Sequence, residues 1–224
     1  MQLMELRNKL YDLDRNICEE KTKLYLVLPL IEYLGYDIFS PFDIIPEYKP
    51  RYYAGNDRVD YAICDDEIPK IFVEVKRLRT DLKEEHVSWL AKYFNSDPFI
   101  KLGILTNGER YLFFTDSVHE NMMDTEPFFE FNLKTYHPID EYLIDYFSKS
   151  NFNGSSVELC MKTISELGKI QNAFRLIYAN QEHFKELRET GDENVMKEIY
   201  KIAKVTEEDI PLNLAFIAVP IHRL

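Results

Sequence analysis

The sequence predicts an α/β fold: a central mixed β-sheet flanked by helices, followed by a helical C-terminal segment. Three observations carry this. Short runs of β-branched and aromatic residues alternate with helical spacing up to about residue 135, and only helical spacing follows. Hydrophobic residues at 46% and aromatics at 14% are enough to bury a real core, while 7 Gly and 10 Pro scattered through ordinary sequence exclude collagen-like, low-complexity and disordered chains. A length of 224 residues suits one sizeable core with an appendage, divided here into an α/β domain over 1–150 and a helical appendage over 151–224.

Taking the elements in order, residues 16–35 read as a helix. Asn16 and Glu19 have the spacing of an N-cap and its N3 partner, and Leu24, Val27, Leu28, Ile31 and Leu34 share one side. Pro29 should kink or interrupt it, and Gly35 should end it. A strand is predicted at 43–48. The runs 58–64 and 70–76 are separated by the turn-like segment 65–69, so a hairpin is predicted. A helix at 84–95 follows. Then 102–106 and 110–115 flank Asn107-Gly108, the sequence of a two-residue hairpin turn, and 128–133 is the last strand. Helices are predicted at 140–147, 156–167, 171–187 and 193–203. The apolar run from Leu212 to Ile221 fits either a strand or a buried helix.

A formal charge of −12 argues against a protein that coats nucleic acid by bulk positive charge, although it leaves room for a local basic site. The nearest approach to one is Lys76, Arg77 and Arg79. Cys18, Cys64 and Cys160 are odd in number and far apart, which fits reduced thiols and a cytoplasmic location better than a disulfide framework. No unbroken apolar stretch, Leu24 to Ile31 included, exceeds eight residues, so neither a signal peptide nor a membrane span is expected. The five histidines, at positions 86, 119, 137, 183 and 222, lack metal-ligand spacing, and no GxxxxGK[ST] occurs.

The chemistry gathers in the first predicted hairpin. With its turn centred on Glu67, Asp60 falls opposite Glu74, their Cβ atoms ~5 Å apart. Alternation puts Phe72, Glu74 and Lys76 on one face and Ile71, Val73 and Val75 on the other, so two carboxylates and an ammonium converge. Facing carboxylates in an apolar sheet repel and lose hydration, which costs stability unless a cation lies between them. The Asp60 and Glu74 oxygens, the Val75 carbonyl and water are ligands that Mg²⁺ prefers. Lys76 would then orient the attacking water or neutralise a phosphate. The plainer alternative is an exposed face on which Lys76 is a cross-strand partner.

The surrounding blocks carry a resemblance: Glu19-Glu20-Lys21-Thr22-Lys23 with Leu26 to Ile31 and Leu34-Gly35-Tyr36-Asp37; Ile44 to Tyr48; Val59 to Ile63; Ile71 to Lys76; Gly103 to Gly108; and Phe113 to Asp116. In order and content they resemble the PD-(D/E)xK nuclease superfamily, and more closely the N-terminal nuclease domain of type I restriction enzyme R subunits and its stand-alone relatives. The resemblance covers about residues 15–150. It implies a restriction-endonuclease-like sheet and a Mg²⁺-dependent DNA endonuclease, with Mn²⁺ as an alternative ion. Asp60 and Glu74 would hold the metal and Lys76 would be catalytic, with Glu19 or Glu20 approaching from the first helix.

Relatives carry a Gln four residues before a Tyr on the helix after the catalytic strand; here Tyr93 is kept and Trp89 stands at the Gln position. Indole donates one hydrogen bond and accepts none, so it cannot replace an amide. Trp89 is read first as core packing, with base stacking as the alternative. Arg51, Arg58, Arg77 and Arg79 are candidate phosphate contacts, and Lys21 and Lys23 are read as solvated helix residues. The expected partners are DNA and other restriction-modification or helicase subunits, with a homodimer allowed. The rival function is a catalytically impaired nuclease fold that binds DNA or serves assembly.

Overall fold

The computed structural model describes residues 2–13, 16–65 and 67–219. The chain divides into two compact units, one comprising residues 1–136 and 144–157, the other 137–143 and 158–224.

The first unit is built on a six-stranded sheet in the order β1-β2-β3-β4-β5-β6: β1 (Ile44–Tyr48), β2 (Val59–Asp65), β3 (Ile68–Val75), β4 (Leu102–Thr106), β5 (Arg110–Phe114) and β6 (Phe129–Asn132). Only β3 and β4 run parallel, because the helix between them, α4 (Glu84–Phe94), returns the chain to the same end of the sheet. This is the predicted mixed sheet with flanking helices. Two helical stretches precede it, α1 (Leu3–Asp12) and a composite helix.

That composite helix comprises α2 (Glu19–Thr22), a π-helical turn (Lys23–Val27) and α3 (Leu28–Tyr33). Its N-cap is Cys18 rather than the predicted Asn16, whose side-chain oxygen instead accepts from Arg77 at 3.2 Å. The interruption predicted at Pro29 is present as the π-helical turn just ahead of it, and α geometry resumes with Pro29 in the first turn of α3, where a missing N–H costs little. The extra residue in that turn rotates the buried stripe, so Thr22, Lys23, Leu26, Val27, Leu30 and Ile31 face inward while Leu24 is 56% exposed. Gly35, at φ 89°, closes the helix as predicted, with Tyr36 N–H reaching back to Ile31 O at 3.3 Å.

Leu30, Ile31 and Leu34 pack on one face of the sheet against Ile71, Val73, Ile104 and Phe113. On the other face Phe72, Leu105 and Phe114 meet Leu90, Tyr93 and Phe94 of α4. The predicted alternation of β3 therefore holds, with Phe72 and Val73 on opposite sides.

The β4–β5 turn is displaced by one residue from the prediction. Asn107 N–H donates to Arg110 O at 3.2 Å, which makes Gly108 (φ 79°) and Glu109 the central pair. Asn107 takes the outer position because from there its Oδ1 accepts from the Glu109 and Arg110 N–H groups at 3.0 and 2.8 Å, and its amide donates to Thr80 O at 2.9 Å. A Cβ on residue 108 would lie 2.8 Å from side-chain carbons of both Thr22 and Leu26.

The second unit holds α5 (Pro138–Ile144) up to residue 143, most of α6 (Ser156–Ala179), and all of α7 (Gln181–Glu189), α8 (Asp192–Ala203) and α9 (Leu212–Ala218). The helices predicted at 156–167 and 171–187 are divided elsewhere. α6 runs through Gly168 without a break and ends at Ala179, and Asn180 caps α7 by accepting from the His183 N–H at 3.2 Å. Ile170, Phe174, Ile177, Phe184, Val195, Ile199 and Leu214 form its core. The ambiguous apolar run is helical over 212–218, and Pro220 and Ile221 at its end lie outside the described residues, as does His222. Among the described residues no helix is long and apolar enough to cross a membrane.

Candidate active site

The β2–β3 hairpin sets the site. Tyr61 pairs with Val73, Ala62 with Phe72 and Ile63 with Ile71, so the next position outward brings Asp60 across from Glu74, the register read from the sequence. The route to that register differs from the predicted one. Next to the turn Asp65 pairs with Ile68, one residue out of step, and a bulge at Ile63/Cys64 restores the alignment. Asp66, in the predicted turn, lies outside the described residues.

Val75 N–H donates to Asp60 Oδ2 at 2.6 Å, and Lys76 Nζ donates to Glu74 Oε1 at 2.7 Å. Glu74 is 7% exposed, so the reading of an open, solvated face does not apply to it. Among the described residues its Oε2 is the one buried side-chain oxygen or nitrogen without a hydrogen-bond partner. Burial first, and the nearby Asp60 charge second, push the Glu74 carboxyl up to about 7 against the pull of Lys76, and the charge of Glu19 adds to the rise.

The first helix contributes more than the predicted carboxylate. Lys23, read from the sequence as solvated, is 6% exposed; its ammonium lies 2.6 Å from Asp60 Oδ1 and 2.8 Å from Glu20 Oε1. Burial opposes that charge, but the bonds to Asp60 and Glu20 outweigh it and hold the ammonium protonated above the ordinary lysine range. Glu19 and Glu20 therefore both bear on the centre, Glu19 through its field on Glu74 and Glu20 through Lys23. Glu19 is the first residue of α2 and has no capping role toward Asn16. Lys21 is exposed, as expected.

What brings the helix here is a set of bonds to the segment after β3. Arg77 Nε donates to Ile17 O at 3.1 Å, and Leu78 N–H donates to the buried Thr22 hydroxyl at 2.9 Å. Thr22 and Lys23 are the positions that sequence reasoning missed. The available signal was their place on the stripe that continues through Leu26 and Leu30.

The other candidates scatter. Trp89 is not core: it is 41% exposed, with Lys92 Nζ 3.7 Å over its ring. It sits on the outer side of α4, where Leu90, Tyr93 and Phe94 already fill the inner face. Tyr93 is buried beside the site, its hydroxyl raised first by burial and then by the Glu74 charge. Each proposed arginine already has a protein contact: Arg51 over the Phe99 ring, Arg58 to Glu47 O at 2.9 Å, Arg77 to Ile17 and Asn16, and Arg79 3.8 Å from Glu109.

Residues 42–121 match the family model described as type I restriction enzyme R protein N terminus. The matched segment holds β1 to β5 and α4, and therefore Asp60, Glu74 and Lys76 of the R-protein-like hairpin, whereas the helix carrying Glu19, Glu20 and Lys23 precedes it. No curated protein and no solved structure matches the chain.

Proposed function

We propose that the chain is a metal-dependent nuclease that hydrolyses DNA phosphodiester bonds, in the manner of the type I restriction R-protein module its central segment resembles. The observation that carries this is Glu74 Oε2, a buried carboxylate oxygen without a partner, beside the facing carboxylate of Asp60. Asp60, Glu74, Glu19 and Glu20 stand against two ammonium groups, Lys23 and Lys76, so negative charge is in excess. A divalent cation supplies the missing charge.

The donor set suits Mg²⁺ or Mn²⁺, which take oxygen ligands and keep several waters. Among the described residues no three His, Cys, Asp or Glu side chains form a metal-holding group. Asp60, Glu74 and the Val75 carbonyl would hold the ion with water completing its shell, and the bound ion would lower the pKa of water and stabilise charge on the phosphate. Lys76, tethered to Glu74 and fixed through its own N–H to Thr106 O at 2.7 Å, is positioned to orient the attacking water. Glu19 and Glu20 support the site from the helix side, Tyr93 walls it, and Trp89 offers an exposed ring for a base. Arg51, Arg58, Arg77 and Arg79 are the proposed phosphate contacts. Other restriction-modification or helicase subunits, or a second copy of the chain, are the proposed protein partners, in the cytoplasm.

The test is cleavage of plasmid and linear DNA with Mg²⁺ or Mn²⁺ by the wild type, Asp60→Ala and Lys76→Ala. Cleavage by the wild type that both substitutions abolish is the expected result. A second reading, a nuclease fold that binds DNA without turnover, is favoured by Trp89 at the position of the usual Gln. Salt-dependent DNA binding without cleavage at any metal concentration would select it.

A further inference from the structure

The Lys23–Asp60 pair is the one feature of the site that the expected chemistry leaves unused. Asp60 has both oxygens engaged: Oδ2 by the Val75 N–H at 2.6 Å and Oδ1 by the Lys23 ammonium at 2.6 Å. The first of these is backbone and fixed, while the second belongs to a flexible side chain with a second acceptor already in contact. Glu20 Oε1 lies 2.8 Å from the same ammonium, and its side chain is 77% exposed, so it can follow the ammonium with little loss of packing. Lys23 also opens the π-helical turn, the wide turn that rotates it onto the buried stripe.

We propose that Lys23 is the resident counter-ion of Asp60 in the metal-free protein and sets the affinity of the site for a divalent cation. The ion binds at the expense of the Lys23–Asp60 contact, and Glu20 receives the released ammonium. This rests on the metal-dependent reading above. Its physical basis is that one carboxylate oxygen cannot serve an ammonium and a divalent ion without strong repulsion between the two cations, and the lower the local dielectric the stronger that repulsion becomes. The lysine keeps a two-carboxylate hairpin folded when no metal is present, and in exchange weakens metal binding.

The experiment is calorimetric titration of the full chain with Mn²⁺ alone, together with thermal unfolding in chelator and in Mn²⁺. The variants are Lys23→Met, Lys23→Arg, Glu20→Gln, Glu19→Gln and, as a charge control, Lys21→Met. Lys23→Met is expected to bind Mn²⁺ about tenfold more tightly than the wild type, to unfold at lower temperature in chelator, and to gain more from Mn²⁺. Lys23→Arg should remain within about threefold of the wild type, because it keeps the charge. Glu20→Gln, which removes the receiving carboxylate at the surface, should weaken Mn²⁺ binding more than Glu19→Gln does, since Glu19 acts through its charge alone, and this comparison decides the matter if Lys23→Met does not fold.

Wild-type binding that Lys23→Met leaves unchanged or weakens would overturn the proposal while the metal-nuclease reading stands. An equal gain in Lys21→Met would also overturn it, since the effect would then be bulk charge. Binding in Glu20→Gln that is unchanged, or weakened no more than in Glu19→Gln, would remove the receiving role and the proposal with it. If neither the wild type nor Lys23→Met binds Mn²⁺, the metal reading fails and takes this inference with it; binding by Lys23→Met alone would support both.

Discussion

Two aspartate–lysine pairs in the sheet unit have the same 2.6 Å separation and opposite consequences. At one, Asp43 is buried just before β1, and its Oδ2 accepts from the Asp37 N–H at 2.8 Å as well as from Lys149. One carboxylate meets one ammonium and a backbone donor. At the other, Asp60 shares its surroundings with Glu74, Glu19 and Glu20, and one Glu74 oxygen is left buried and bare. The first pair is complete and serves the fold. The second is incomplete: a buried acceptor left unpaired costs about 1–3 kcal/mol, and the proposed cation would relieve it.

The contrast can be broken most directly by activity. Lys76→Ala should reduce DNA cleavage by at least about a hundredfold, whereas Lys149→Ala, at the complete pair, should leave the rate per folded molecule unchanged. Comparable loss in both would erase the distinction.

Stability provides the next test, and the two sites should respond with opposite sign. Asp43→Asn should lower unfolding free energy by about 2 kcal/mol, between the limits for surface and buried pairs. Glu74→Gln, measured at pH 8 in chelator, should raise it by about 1 kcal/mol, because it removes a charge that burial and Asp60 disfavour. Denaturant unfolding of the three proteins reads both.

Acid sharpens the comparison further. The hydrogen bonds from Lys149 and the Asp37 N–H overcome the effect of burial and hold the Asp43 carboxyl below its ordinary value. Its contribution is therefore fully present above about pH 4 and is lost as pH falls through the lower folded value. Asp43→Asn should flatten the acid limb of the stability curve, and an unchanged limb would show that the pair is not what acid breaks. The smallest effect belongs to Trp89: as an exposed ring outside both sites, Trp89→Ala should change stability by no more than about 0.5 kcal/mol while weakening DNA binding.

Much of this arrangement was legible in the chain. Alternation along 70–76 placed Glu74 and Lys76 on one face, and the register placed Asp60 opposite Glu74, because a strand's period of two leaves little choice once one face is apolar. The β4–β5 turn was located from Asn107-Gly108 but shifted by one residue, since the Asn107 side chain bonds to Thr80, 27 residues away. Trp89 was misplaced for a similar reason: Leu90, Tyr93 and Phe94 had already filled the inner face of α4.

The sequence alone thus determined the periods, the strand order of the hairpin and the carboxylate pair, because each follows from local backbone geometry. The tertiary structure decided which side chains complete the site. The place of Lys23 on the stripe through Leu26 and Leu30 is local, but its partner was fixed only once α2 was stitched by Thr22 and Ile17 to the segment after β3, bringing its ammonium to an aspartate 37 positions later in the chain. A buried charge is tolerated only where its partner is, and that partner is fixed by packing between distant segments, which no local pattern encodes.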